Sequence, residues 1–272
     1  MLTTMIDSSD MMSTLEVPDG RNPDQNAWLT LTLRYSLNFA DSKNMIAGVI
    51  EKPGSKFVAV DSDKNRLPIV DWDFASQIKF QRAFQRGENI WNWQFVLITP
   101  QDFDQLDFTC ITSGWVVRPN VLCLFRLVPN AANAHLKITV VRLDPSVTSS
   151  KSFRSNSTLY DHLDVWCPTL GHELGHALGM PHIKELLGDA QCIADAKRGI
   201  YPDRCYGETD FERQNIMGAG TRIYLANAKP WVDRMADHTS LAKSAWKPTG
   251  IMTLPPRKIP LGVALVAKPK LF

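Results

Sequence analysis

The stretch TLGHELGHALGMPH, residues 169–182, constrains the fold of this chain more than any other. It places three of the chain's six histidines within eleven residues and a glutamate directly after the first of them. In a helix that turns about 100° per residue, His172 and His176 lie about 40° apart on one face. The opposite face carries the apolar side chains of Leu170, Leu174, Ala177 and Leu178. We therefore predict a helix that packs by its leucines and turns its two histidines outward.

A chain reversal is predicted directly after this helix. Gly179 follows His176 by three residues, where a glycine can adopt a positive φ angle and end the helix. Pro181 then prevents the helix from resuming. The reversal is expected to bring His182 back toward the first two histidines. Two imidazoles one helical turn apart, joined by a third, can bind one metal ion from the same side.

The number of predicted ligands favours a catalytic zinc site. Three imidazoles leave the fourth position of a tetrahedral zinc ion open to water. Glu173 lies about 100° around the helix from His172, close to the metal but not among its ligands, which suits a base acting on that water. His172 and His176 could instead be ordinary residues of a helix surface. We favour zinc because a pattern of this length arises by chance with a probability on the order of 10⁻⁵ in such a chain.

The segment HELGHALGMPH resembles the extended zinc-binding motif of the metzincin superfamily of metallopeptidases. Members of that superfamily also have a methionine-containing turn beneath the metal, some tens of residues past the third histidine. Met217, in the stretch QNIMGAGTR, lies thirty-five residues after His182 and fits this turn. Filling of the core is the alternative role for this methionine. Some metzincins have a metal-binding tyrosine two residues after the methionine, where this chain has Ala219.

The resemblance implies an α+β fold with an active-site cleft between two lobes. The upper lobe would be a twisted mixed sheet with two helices, and the lower lobe would be irregular and end in a helix. We expect one such domain over residues 28–250, with the upper lobe at 28–181 and the lower lobe at 182–250. The segment KPWVDRMADHTSLAKSAW, with Pro230 near its start, is the candidate for the last helix.

Local patterns independently predict a mixed sheet with a helix packed on it. WLTLTLRYSLNF, residues 28–39, alternates apolar and polar side chains and predicts a half-buried strand. Asp73 can cap a helix that Gly87 would end in the left-handed conformation. Further strands are predicted at WQFVLI, VLCLFRLV and HLKITVVRL.

Four other segments have weaker signals. Residues 1–27 are polar and are predicted to form a flexible N-terminal arm, and residues 251–272 a C-terminal tail. Two turn motifs within residues 40–70 predict a hairpin insertion. SFRSNSTLYDHLDV is the candidate for an exposed edge strand and its neighbour, along which a substrate could lie. An ordinary surface loop explains this last segment equally well.

The five cysteines leave at least one thiol unpaired. The segment CIADAKRGIYPDRC resembles the cysteine-stapled lower lobe of pappalysin-like metzincins, which implies a disulfide between Cys192 and Cys205. Two buried free thiols are the alternative. Cys110 and Cys123 could bridge neighbouring strands or lie in the core, and Cys167 is expected to pack at the start of the motif helix.

Charge and hydropathy exclude some classes of partner and site. A net charge of +2 without a basic stripe argues against a nucleic-acid partner. The chain has no run of eighteen apolar residues, so we predict no membrane span. The first twenty residues do not have the pattern of a secretory signal. Because a disulfide would require an oxidising environment, we expect delivery outside the producing cell by another route, with the cytoplasm as the alternative.

Together these features imply a monomeric zinc endopeptidase that acts on a protein or peptide, with an inhibitor or immunity protein as a candidate partner. His172, His176 and His182 would hold Zn²⁺, and Glu173 would transfer the proton. Gly179 and Met217 would support the site.

Two other functions remain open at this point. One is a zinc-stabilised binding or toxin module without proteolysis, and the other is a zinc amidohydrolase that acts on a non-peptide amide. His238 and Tyr224 are candidates for an oxyanion donor only because they follow the methionine turn, and a structural role is the simpler interpretation of each.

Overall fold

The structure, a computed structural model, describes residues 2–60, 65–147, 153–154, 158–161, 168–250 and 256–260. The strands are β1 (Leu2–Asp7), β2 (Met12–Val17), β3 (Ala27–Ala40), β4 (Ile50–Glu51), β5 (Val58–Val60), β6 (Arg66–Pro68), β7 (Phe95–Ile98), β8 (Phe108–Thr109), β9 (Trp115–Arg118), β10 (Val121–Pro129), β11 (Leu136–Arg142), β12 (Phe153–Arg154), β13 (Thr158–Asp161), β14 (Lys247–Gly250) and β15 (Arg257–Pro260). The helices are α1 (Phe74–Gln85), α2 (Glu88–Trp91), α3 (Pro168–Ala177), α4 (Ile183–Leu186), α5 (Ala190–Lys197), α6 (Asp210–Gln214) and α7 (Lys229–Thr239).

The chain divides into two compact units, each built from separate stretches of sequence. The first unit comprises Met1–Thr32, Trp91–Arg126 and Ile223–Phe272. The second comprises Leu33–Ile90 and Leu127–Arg222. The predicted bounds of one catalytic domain and its two lobes remain a prediction.

In the first unit, the strands of the main sheet follow the order β1-β2-β3-β10-β7-β14. β1 and β2 form an antiparallel hairpin, and β2 pairs with the beginning of β3. Residues 2–7 and 12–17 are therefore strands and not part of the flexible arm predicted there. The buried side chains Ser13, Leu15 and Val17 alternate along β2. The sequence does not show this alternation clearly, because polar residues occupy both faces of the strand.

Helix α7 confirms the last helix that the sequence predicts, although it ends at Thr239. Pro230 lies in its first turn, and Ser240 ends it with a φ angle of 57°. Trp231 anchors the helix in the first unit, where its ring lies 5.5 Å from that of Phe95. The described part of the predicted C-terminal tail contains β15, which pairs with β9.

In the second unit, the strands follow the order β12-β13-β11-β3-β10. β11 runs parallel to both β3 and β13, whereas β12 and β13 are antiparallel. The fold is thus α+β with a mixed sheet, as predicted. Along β3, Leu33 and Tyr35 are buried in this unit, in agreement with the alternating pattern.

Helix α1 begins where the sequence predicts but ends differently. The Asp73 side chain accepts a hydrogen bond from the Ser76 N–H at 2.7 Å and caps the helix. Gly87 does not have the positive φ angle predicted for it. A Cβ atom on Gly87 would lie 2.5 Å from Leu174 Cδ1 and 2.9 Å from Phe84 O. The lack of a side chain at this position leaves room for Leu174 of α3 and for the carbonyl of Phe84, and Gly87 does not end the helix in a left-handed turn.

The segment predicted as a hairpin insertion is a small antiparallel sheet of the three strands β4, β5 and β6. It has a core of its own within the second unit. The buried side chains of that core are Ala40, Ile50, Ala59, Leu67, Val141 and Leu143.

Strands β12 and β13 fall in the segment predicted as an edge strand with its neighbour, and β12 ends the strand order. The remainder of that segment, including His162, lies outside the described residues. No helix in the described part of the chain is long and apolar enough to cross a membrane.

Candidate metal centre

The three histidines of the motif converge in the second unit. His172 and His176 lie on α3, and His182 directly precedes α4. Each ring offers one nitrogen to a group whose members all lie within 4.8 Å of one another. The Nε2 atoms of His176 and His182 are 3.2 Å apart, close to the roughly 3.4 Å between two nitrogen ligands of one tetrahedral zinc ion. These three residues are thus positioned to hold a metal ion.

The predicted chain reversal produces this convergence. Gly179 has a φ angle of 84°, and its N–H donates to the carbonyl of His176 at 2.9 Å. The N–H of Met180 donates to the carbonyl of Gly175 at 3.0 Å, which closes the end of the helix. His182 follows within three residues of the left-handed glycine and faces the helix again.

Backbone carbonyls fix the orientation of the two helical histidines. His172 Nδ1 lies 2.8 Å from the carbonyl oxygen of Ile216, and His176 Nδ1 lies 2.8 Å from that of Met180. Because a carbonyl oxygen only accepts, each Nδ1 must carry the proton and donate. The lone pair of each ring is therefore on Nε2, the nitrogen that a metal needs.

The predicted methionine turn lies against the same residues. Asn215 Oδ1 accepts the N–H of Met217 at 2.7 Å, which shapes the turn. The carbonyl of Met217 accepts the N–H of Ile183 at 2.9 Å, directly after the third histidine. The Met217 side chain is fully buried. The turn thus supports His172 through the carbonyl of Ile216 and the chain after His182 through that of Met217.

The sequence did not indicate that Gly171 is needed for this packing. A Cβ atom on Gly171 would lie 2.7 Å from Ile216 Cδ1 and 3.1 Å from Ile90 Cδ1. The lack of a side chain here lets Ile216, whose carbonyl holds His172, pack closely against α3. The glycine beside the first histidine could have been noticed, but its neighbour is distant in sequence.

Burial keeps the imidazoles neutral, which is the form that binds metals. It lowers the pKa of His172 to about 4 and that of His182 to about 3, and the neighbouring histidines contribute to both shifts. Burial also lowers the pKa of His176. The helical pattern predicts that His172 and His176 face outward. This is wrong for His172, of which only 9% is exposed, whereas His176 is only partly buried. Neighbouring rings cover this face.

Two of those rings belong to tyrosines that the sequence reasoning missed. The ring of Tyr206 lies 4.1 Å from that of His182 and 5.9 Å, nearly parallel, from that of His172. The ring of Tyr201 lies 5.3 Å from that of His182. Tyr206 directly follows Cys205, so the predicted disulfide was the signal that could have drawn attention to it.

The disulfide between Cys192 and Cys205 is present, as predicted, and joins residues thirteen apart in sequence. It links α5 to the 3₁₀ turn at Asp203–Tyr206. Both sulfur-bearing residues are buried. The link holds the segment that carries Tyr206 in the second unit, beside the histidines.

Glu173 directly follows His172 and is buried, with 8% of its surface exposed. Burial raises the pKa of its carboxyl group to about 8. A cation held by the histidines would favour the ionised form, since opposite charges stabilise each other. The negative charge of Glu173 also contributes to the raised pKa of Tyr206, after the burial of that ring.

The remaining candidate residues make hydrogen bonds or lie in the core, which are structural roles. His238 lies 2.9 Å from Thr4 Oγ1 and 3.0 Å from Ser13 Oγ in the first unit. Tyr224 precedes a 3₁₀ turn, and its N–H donates to Asn227 Oδ1 at 2.8 Å. Cys110 and Cys123 are free and buried, so the core interpretation is correct for them. Cys167 lies outside the described residues.

Comparisons with known proteins identify no family. The chain matches no protein-family model, no curated protein and no solved structure.

Proposed function

We propose that the protein is a zinc-dependent endopeptidase with a metzincin-like catalytic domain. One observation carries this proposal: the nitrogens of His172, His176 and His182 converge beside the buried carboxyl group of Glu173. Three neutral imidazoles are the ligand set of a zinc site with one open position. The 3.2 Å between two of the nitrogens suits one tetrahedral ion.

A bound zinc would supply a Lewis acid that polarises the scissile carbonyl and lowers the pKa of a water molecule to about 7. The protein residues divide the remaining tasks. The three histidines would hold the ion. The Nδ1–H groups of His172 and His176 donate to backbone carbonyls, which fixes the orientation of these two rings. Preorganised ligands of this kind lose little freedom when the metal binds.

Glu173 is the proposed proton carrier. In its ionised form, a carboxylate oxygen accepts a proton from the attacking water and delivers it to the leaving amine. A base works best when its pKa lies near the operating pH, and burial moves the pKa of Glu173 toward neutrality. Its place in the sequence, directly after His172, keeps it near the ion without making it a ligand.

The choice of a peptide substrate rests on the resemblance to metzincins. The extended histidine motif and Met217 in a tight turn both support it. Strand β12, at the end of the strand order in its unit, could pair with an extended peptide. We further propose that the protein acts in an oxidising environment outside the producing cell, because the disulfide between Cys192 and Cys205 would be reduced in most cytosols.

The test compares the zinc-loaded wild type with Glu173→Gln. Each protein is incubated with a peptide library, and the newly formed peptide termini are mapped. We expect unchanged zinc content and a loss of kcat/KM of about 10²- to 10⁴-fold, the usual contribution of a general base. Glu51→Gln, at an exposed glutamate of the same unit, is the matched control and should retain full activity.

Three outcomes would contradict the proposal. Equal cleavage by wild type and Glu173→Gln would remove the assigned base. A zinc-loaded wild type that cleaves no peptide would favour the binding module, and one that cleaves only a non-peptide amide would favour the amidohydrolase.

A further inference from the structure

His182 differs from the other two histidines in what its second ring nitrogen contacts. The Nδ1 atoms of His172 and His176 each have a backbone carbonyl as acceptor. The Nδ1 atom of His182 is buried and has no hydrogen-bond partner among the described residues. Its side chain is 6% exposed, so bulk water is not a ready substitute. A metal ligand of this kind needs an acceptor for its second N–H group.

The carboxylate of Glu185 is the group that faces this nitrogen. Glu185 Oε1 lies 3.4 Å from His182 Nδ1, on a side chain that is 9% exposed. This oxygen is likewise buried and has no hydrogen-bond partner in the described part of the chain. Two buried polar atoms that lack partners thus face each other. Leaving both unsatisfied is costly, and a small rotation of the ring would satisfy both.

The Glu185 side chain also lies close to the backbone of the same histidine. Its carboxylate lies near the backbone N–H of His182, the residue that precedes the first turn of α4. One carboxylate therefore faces both the backbone and the ring of His182. A spacing of three residues in this first turn places it there.

The neighbouring lysine does not neutralise Glu185. Lys184 Nζ lies 3.0 Å from Glu208 Oε2 and 3.5 Å from Asp189 Oδ2. It also lies 3.7 Å from Glu212 Oε1. Lys184 is thus engaged by other carboxylates, and the carboxylate of Glu185 is left to face His182.

We propose that Glu185 is a positioning residue for the metal centre. It accepts the Nδ1–H of His182, which leaves the lone pair on Nε2 for the ion and makes that nitrogen a stronger donor. This inference rests on the proposed metal site, because the bond has a functional role only if Nε2 binds a metal. It assigns the third ligand a carboxylate partner where the first two have backbone carbonyls.

The experiment measures the zinc dissociation constant of the full chain by competition with a chelator. Glu185→Leu removes both the charge and the acceptor, and we expect zinc to bind about 10- to 100-fold more weakly, the usual effect of losing such a partner. Glu185→Gln keeps an acceptor oxygen and should have an intermediate effect. Glu208→Gln is the matched control, at a glutamate that pairs with Lys184, and should change the constant by less than about twofold.

A second measurement separates positioning from a general effect on folding. The metal-free Glu185→Leu protein should unfold at a temperature close to that of the wild type, because the removal of a buried carboxylate offsets the loss of the acceptor for His182 Nδ1. The rise in unfolding temperature on adding zinc should be smaller than in the wild type. In a His182→Ala background, Glu185→Leu should have no further effect on zinc affinity.

The outcomes distinguish this inference from the proposed function. If the wild type and Glu185→Leu bind zinc equally well, the positioning role of Glu185 is overturned and the proposed metal site stands. Wild type that binds no zinc would overturn both. A Glu185→Gln protein as weak as Glu185→Leu would show that charge, and not the acceptor, sets the affinity, and would overturn the hydrogen-bonding role.

Discussion

At the scale of single residues, the second nitrogen of each histidine decides whether the first can bind a metal. The spacing of the motif predicts that His172, His176 and His182 converge, and the structure confirms this. The acceptors of Nδ1 do not follow from the spacing. Ile216 lies forty-four residues after His172, so its role depends on tertiary packing.

His238 provides a prediction at this scale that does not involve the metal centre. Burial lowers its pKa, and the nearby Arg234 lowers it further, whereas Asp237 acts in the opposite direction. The folded protein therefore binds a proton at His238 less tightly than the unfolded chain, whose histidines titrate near about pH 6.5. The stability contributed by His238 should be complete above that pH and should decrease as the pH falls below it.

The measurement compares urea unfolding of wild type and His238→Asn across this pH range. The advantage of the wild type should shrink as the pH falls from about 7.5 to 5. All other titrating groups are common to both proteins and cancel in the difference. A difference in free energy of unfolding that does not change with pH would disprove the prediction.

The residues that sequence reasoning missed share a physical cause. Gly171, Glu185 and Tyr206 matter because of atoms that approach them in the folded chain. Gly87 was predicted to be important for the wrong reason, since a neighbouring leucine and not a turn requires it. Contacts of this kind have no period that a sequence pattern could show.

At the scale of elements, the link between α5 and the turn at Asp203–Tyr206 carries the clearest consequence for stability. A disulfide that closes a loop of this length stabilises the folded state by about 3 kcal/mol in the chain-entropy model. The double variant Cys192→Ala/Cys205→Ala should lose about that free energy of unfolding. It should also bind zinc less tightly, because Tyr206 and the proposed ligand His182 would be held less firmly together.

The measurement is urea unfolding of both proteins with and without a reductant. Reduction should weaken the wild type and leave the double variant unchanged, since Cys110 and Cys123 are already free. A double variant as stable as the oxidised wild type would contradict the stabilising role of the link.

Elements with strong local signals were predicted well. The alternation along β3, the Asp73 cap of α1 and Pro230 at the start of α7 all depend on neighbours within a few residues. The hairpin of β1 and β2 was missed, because serines and threonines interrupt its apolar pattern. Its pairing with β3 is a tertiary contact that composition does not reveal.

At the scale of the whole molecule, the sequence predicted the α+β class and the mixed sheet but not the division of the chain. Each compact unit combines stretches that are far apart in sequence. The three histidines of the candidate metal centre lie in the second unit, whose segment Leu127–Arg222 also contains the disulfide and the turn with Met217. Local patterns describe the elements of such a unit but not which distant stretches share it.

The most direct test of the account is the crystal structure of the zinc-loaded protein, with the ion located by its anomalous scattering. We expect one zinc ion per chain, with the Nε2 atoms of His172, His176 and His182 about 2.0 to 2.1 Å away and a fourth ligand that is not a protein side chain. Histidine rings turned away from the ion, or a fourth protein side chain bound to it, would contradict the central claim.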